Sequence, residues 1–196
     1  MGLFDSILGG RKKLQTANAD RLFAMSTAAV TLETSLDMKP RGVAGIVFQQ
    51  IANADFSQLV KDASELLESA AKDTGTTLEQ SSDEFGYSWI VFRDPDCDDL
   101  VTAVNTVASE LQAGGYGDRV LAAVFAWQDS EGKQVDFIYN FKRGRFYPFV
   151  PLPDKKRDTE YELRLKAQLE TDLPIEPELE RWFPLWDAPL QRTGSA

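Results

Sequence analysis

Two runs dominated by apolar and aromatic residues, Val120–Trp127 and Val135–Phe141, flank Asp129-Ser130-Glu131-Gly132. A short polar turn containing glycine between two β-type runs closes a hairpin, so these two strands pair antiparallel. Arg145–Val150 extends the same meander, and Pro148, Pro151 and Pro153 close it, because proline cannot donate to a ladder. A chain built on such a meander, with helices elsewhere, folds as α+β with the helices packed on the sheet.

The rest of the chain reads consistently with that constraint. Ala28–Thr34 alternates at Val30 and Leu32 as a half-buried strand does, Pro40-Arg41-Gly42 turns the chain, and Val43–Phe48 is a nearly continuous apolar strand. Phe56, Leu59, Val60, Ala63, Leu66, Leu67 and Ala70 fall at helical spacing, and Gly75 stops that helix. Thr76–Ser82 reads as a weak edge strand and Phe85–Phe92 as a strong aromatic one. A second helix spans Asp98–Ala113 and ends at Gly114-Gly115, and a last one covers Thr159–Glu170. The pattern is a hairpin followed by a helix, three times over, across residues 27–73, 77–113 and 119–170. The expected fold is therefore an antiparallel sheet of hairpins with helices on one face, preceded by a short amphipathic N-terminal helix. Residues 1–15 form that amphipathic segment, 16–26 a linker, 27–172 the α+β domain, and 173–196 a Pro/Trp-rich tail that packs back on it. The order is not βαβ, and no glycine-rich loop has dinucleotide-binding spacing.

Composition excludes several functions. The chain has 31 acidic and 21 basic residues, a net charge of −10, which disfavours nucleic acid as a partner because phosphate contacts need a basic face. It has no histidine, which removes His-based triads, imidazole metal ligands and proton shuttles. Its one cysteine, Cys97, allows no internal disulfide and no thiolate cage, and fits a reducing cytoplasmic setting. No apolar run approaches the ~18–20 residues a membrane-spanning helix needs. At the N-terminus the positive charges follow the apolar stretch, the reverse of a signal peptide. These exclusions lead to the expectation of a non-enzymatic protein with no cofactor, no metal and no catalytic residues.

Three features stand out as candidates. The acidic run Asp94–Asp99 has hard-cation chemistry but lacks EF-hand spacing; Asp96 reads as the cap of the second helix, with Asp98 and Asp99 in its first turn. Lys142, Arg143 and Arg145 stand beside Phe146, Tyr147 and Phe149, a combination suited to partner contact or to an anion clamp, or else to a hairpin turn with internally paired cations. At the N-terminus, Leu3, Phe4, Ile7 and Leu8 share a helical face and Arg11, Lys12 and Lys13 follow, a pattern that suits docking on an anionic membrane surface or on a partner.

Several segments in order carry a resemblance to a known family: Met1–Asp5, Leu22–Ala28, Gly86–Trp89, Gly115–Phe125, Lys142–Pro151 and Arg181–Trp186. Together they resemble the PspA-associated protein B (PspAB) family. The resemblance implies an accessory or adapter role beside a PspA-type coiled-coil protein, in a phage-shock, ESCRT-III-like membrane-stress response. It implies no catalytic residues. Two other readings stay open on the residues alone: a secretion-chaperone-like peptide-binding module, and a small anion-binding protein using Arg143 and Arg145.

Overall fold

A computed structural model describes residues 21–82, 86–186 and 188–190. Its frame is a six-stranded antiparallel sheet in the order β2-β3-β1-β4-β5-β6. The strands are β1 (Lys39–Gln49), β2 (Thr77–Ser82), β3 (Tyr87–Arg93), β4 (Val120–Gln128), β5 (Gln134–Asn140) and β6 (Arg145–Phe149). Among the described residues the helices are α1 (Ala24–Ser35), α2 (Ala54–Thr74), α3 (Cys97–Ala113) and α4 (Thr159–Leu169). A two-stranded ribbon, β7 (Pro151–Leu152) with β8 (Lys156–Arg157), precedes α4. The α+β class and the antiparallel sheet are as the sequence predicts. No helix among the described residues is long and apolar enough to cross a membrane.

The start of the domain departs from the expected hairpin. Residues 28–34 are helical, inside α1. Leu22, Met25, Ala28, Ala29 and Leu32 are buried at spacings of three and four, whereas Val30 is 64% exposed. The alternation read over Ala28–Thr34 rests on only two large apolar positions, Val30 and Leu32, too few to separate a strand from one side of a helix. Leu22 and Met25 are fully buried, so this part of the expected linker belongs to the core.

Pro40-Arg41-Gly42 is likewise not a turn but the first part of β1. Pairing with β3 begins only at Val43, so Pro40 faces no β3 partner that would need its missing N–H. The register with β4 shifts between Pro40 and Ala44, and Gly42 sits there at φ +65°. This is a bulge, and it needs a residue that tolerates positive φ. The first unit is thus helix–strand–helix, and β1 inserts between two later hairpins.

The register sorts the sheet into two faces. Ala44, Ile46 and Phe48 of β1, Ile90 and Phe92 of β3, and Ala123, Phe125 and Trp127 of β4 share one face with Phe137, Tyr139 and Phe146. Phe48 meets Phe56 of α2 edge-on at 5.9 Å, and α3 packs across β1, β3 and β4. Of the residues expected on the inner side of α2, Phe56 and Ala63 are buried, but Leu66 is 52% exposed. The other face carries Gly45, Val47, Trp89, Val91, Ala122, Val124, Ile138, Asn140, Tyr147 and Phe149. Its cover is the C-terminal tail: Trp182 stacks on Tyr147 at 6.1 Å, Trp186 meets Phe149 edge-on at 4.9 Å, and Leu190 lies over Gly45. Residues 174–176 also bond to Phe146 along the outer edge of β6, which closes that edge.

Gly45 shows how closely the tail lies. A Cβ there would stand 3.0 Å from Leu190 Cδ2 and 3.4 Å from the Trp89 ring. Gly45→Val must therefore push the tail off the sheet. It should destabilise the fold by about 1–3 kcal/mol, seen as a lower melting temperature together with faster proteolysis within residues 182–190. An unchanged melt and an unchanged cleavage pattern would show that the tail does not pack there.

Candidate functional site

The tail is held by two buried carboxylates. Glu162, fully buried on α4, accepts from the Val150 N–H at 2.8 Å and from Arg157 Nε at 2.8 and 3.0 Å. Arg157 in turn donates through Nη1 to the Trp182 carbonyl at 2.7 Å, and its guanidinium lies over the Phe149 ring. Burial pushes the Glu162 carboxyl up against the opposing pull of these donors. Glu176, 2% exposed, accepts from Arg143 Nε at 2.5 Å, and its carbonyl accepts from Trp182 Nε1 at 3.0 Å. The Tyr147 hydroxyl donates to the Phe183 carbonyl at 2.9 Å, and its burial raises that phenol.

Beyond Trp182 the tail forms one wall of a groove of about 530 Å³. The floor is the sheet face at Val47, Trp89 and Tyr147, which are buried, and at Ala122 and Asn140, which are half-buried. Phe183, Pro184, Leu185 and Trp186 make the wall. The lining is mostly apolar, and it opens to solvent at Phe183, 58% exposed, and Tyr87, 38% exposed. A concave apolar lining with exposed aromatics is a surface suited to binding. Among the described residues, no cation lines the groove. Arg145 pairs across the ladder with Asn140 and donates to the Ile175 carbonyl at 3.2 Å; Lys142 is exposed on the β5–β6 turn; Arg119 donates to Gln49 Oε1 at 3.1 Å.

The structure redistributes the expected site residues. Leu3, Phe4, Ile7, Leu8, Arg11, Lys12 and Lys13 lie outside the described residues. Of the Lys142–Tyr147 set, only the cations reach solvent. Phe146 is fully buried against Tyr139 at 4.7 Å, and Tyr147 is buried under Trp182. These two aromatics are core, not partner contacts, because a strand in the sheet turns alternate residues inward on both covered faces. Arg143 is spent on Glu176 and Arg145 on the Ile175 carbonyl, so this segment does not present a converging anion clamp. The tail docks back on the domain, as its aromatic content suggests. The groove itself is not readable from sequence; its only signal is the irregular run Phe183-Pro184-Leu185-Trp186.

The acidic run caps α3. Asp96 Oδ1 accepts from the Asp98 N–H at 2.8 Å, while Asp94 accepts from Thr76 Oγ1 at 2.5 Å and from the Asp96 N–H at 2.8 Å. Cys97 is pushed up to about 12, first by burial and then by Asp98 and Asp96, which leaves it a poor nucleophile. Asp96→Ala should cost about 1 kcal/mol of stability in a thermal or denaturant melt. Melts in EDTA and in millimolar Ca²⁺ should coincide; a clear rise with the ion would turn the run into a metal site.

Asp136 is the other buried acid on the tail-covered face, 2% exposed. Its Oδ2 accepts from Gln134 Nε2 at 2.7 Å, and its Oδ1 has no hydrogen-bond donor. Burial raises it to about 6, partly opposed by Gln134 and by the charge of Arg41. A carboxyl raised on folding binds its proton more tightly in the native state, so its contribution is full below about pH 4 and is lost as pH rises toward 6. The stability difference between the parent and Asp136→Asn should change by about 2–3 kcal/mol over that interval and be flat on either side. A constant difference in denaturant titrations from pH 4 to 7 would contradict the burial of an ionisable group here.

The family model for PspA associated protein B matches residues 1–190. The chain belongs to the PspAB family. Membership places this fold beside PspA in an accessory role. Comparison with curated proteins and with solved structures gives no match.

Proposed function

We propose that this PspAB protein is a non-enzymatic adapter that acts in the cytoplasm by docking on PspA. The carrying observation is the open apolar groove between the sheet and the tail, in a chain whose family is described by its association with PspA. Exposed aromatics at such a groove favour association, and Phe183 and Tyr87 supply them. The apolar side chains of the N-terminal segment, Leu3, Phe4, Ile7 and Leu8, followed by Arg11, Lys12 and Lys13, support a second contact with the partner or with an anionic membrane surface.

The test mixes the purified full chain with purified PspA and, separately, with vesicles containing anionic lipid. The full chain should bind PspA at micromolar concentration or below. Replacing Leu3, Phe4, Ile7 and Leu8 together by Ser should weaken binding to PspA or to vesicles while leaving the melt unchanged. Equal binding by that variant assigns docking to the folded body alone. Absence of any association between the two purified proteins would contradict the reading.

A further inference from the structure

We propose that the cavity between α3 and the adjoining ends of β4 and β5 is a binding site for a neutral sugar. This goes beyond the adapter reading and does not depend on it.

The cavity holds about 570 Å³, within the range of small-molecule sites. One wall is α3, where Asn105, Ser109 and Gln112 follow at spacings of four and three and so share a side of the helix, next to the buried Ala108. The turn Gly117–Arg119 closes one end. It lies so near the helix that a Cβ on Gly117 would stand 3.1 Å from Gln112 Cγ. The Tyr116 N–H donates to the Leu111 carbonyl at 2.8 Å, which ties the turn to the helix. Across the cavity, the Phe141 N–H donates to the Leu121 carbonyl at 3.2 Å, which holds the strand ends together. The walls are therefore set before any ligand arrives.

The polar groups of this cavity are not spent on the fold. Among the described residues, the side chains of Asn105, Ser109, Gln112 and Lys142 make no hydrogen bond or ion pair. Asn140 Oδ1 accepts from the Arg143 N–H at 3.2 Å, which leaves its amide nitrogen to donate. Asn105, Gln112 and Asn140 are half-buried, and half-buried amides are satisfied by water or by a ligand.

The chemistry of the lining selects the ligand. Lys142 and Asp118 bring one charge of each sign, and Asp118 already stands 3.6 Å from Arg119 Nε, so neither an anion nor a cation is favoured. Three carboxamides and a hydroxyl offer donors and acceptors side by side, the pattern that adjacent hydroxyl groups match. Val120, Leu121 and Phe141 supply an apolar side to the same space. A sugar ring carries both surfaces, a rim of hydroxyls and faces of C–H groups.

The experiment records amide spectra of the isotope-labelled full chain, backbone and side chain. Glucose, trehalose and myo-inositol are titrated separately to about 100 mM, a range that covers millimolar dissociation constants. Sodium phosphate and glutamate serve as charged controls. At least one of the three polyols should give saturable shifts in the side-chain amides of Asn105, Gln112 and Asn140 and in the backbone of residues 117–121 and 140–142. Asn105→Leu combined with Gln112→Leu removes two amides and should weaken binding at least tenfold. Ser109→Trp, at an exposed position, should block the cavity and abolish the shifts, and melts show that both variants remain folded. Vesicles of neutral phosphatidylcholine with and without a glucosyl lipid read the source. Tighter capture on the glucosyl vesicles assigns a lipid headgroup and equal capture assigns a free sugar, and either result upholds the site. No saturable shift with any of the three polyols overturns the proposal. So do shifts that persist in both variants, or phosphate or glutamate moving the same residues as strongly.

Discussion

The arrangement turns on the buried pair of Arg157 and Glu162. Glu162 has no exposure, and its oxygens are shared between Arg157 and the Val150 N–H. Arg157 extends the link to the Trp182 carbonyl. One ion pair therefore joins the end of β6, the β7–β8 ribbon, α4 and the tail. Removing one partner of a buried pair commonly costs about 3–5 kcal/mol, because the other charge stays buried without compensation. The pair fixes where the tail begins to cross the sheet, and so fixes the wall of the groove.

The groove follows from an imbalance between the two faces. Helices cover one face with broad, interlocking side chains, and α3 alone spans three strands. Among the described residues, the other face is covered by little more than residues 182–186 and 188–190. Six strands spaced about 4.8 Å apart make a sheet about 24 Å wide, while a single covering chain is about 10 Å across. Most of the face is buried all the same, and the cover is thinnest over Ala122 and Asn140. Trp186 and Leu190 seal the part over Phe149 and Gly45, while Ala122 and Asn140 beside the groove stay half-buried. The same shortage of cover leaves Phe183 exposed.

Much of the sheet was legible in the sequence because its strands are long and bounded by strong turns. The observed β4, β5 and α3 fall within one or two residues of their expected limits. Asp96 as a cap was legible because capping is decided within three residues. The failures share another cause. α1 is specified by its packing on α3 and the core, which a seven-residue alternation cannot reveal. Pro40 enters a strand because only one side of it needs a ladder there, a fact of topology. Lys142–Tyr147 looked like a surface cluster because cations and aromatics are adjacent in sequence, yet the strand sends the aromatics inward and the tail takes two of the arginines. The groove joins residues as distant as Val47 and Trp186, and no local pattern encodes such a meeting.

The central claim is that PspA docks on the strip between the tail and the end of the sheet. Hydrogen–deuterium exchange of the full chain, alone and with PspA, tests it most directly, because it locates the contact without altering the protein. The account predicts that slowed exchange on binding concentrates in residues 119–123, 138–142 and 183–188, with α2 and the Asp94–Asp99 turn unchanged. Slowed exchange confined to α2, α4 or the acidic turn, with those three stretches unchanged, would contradict it.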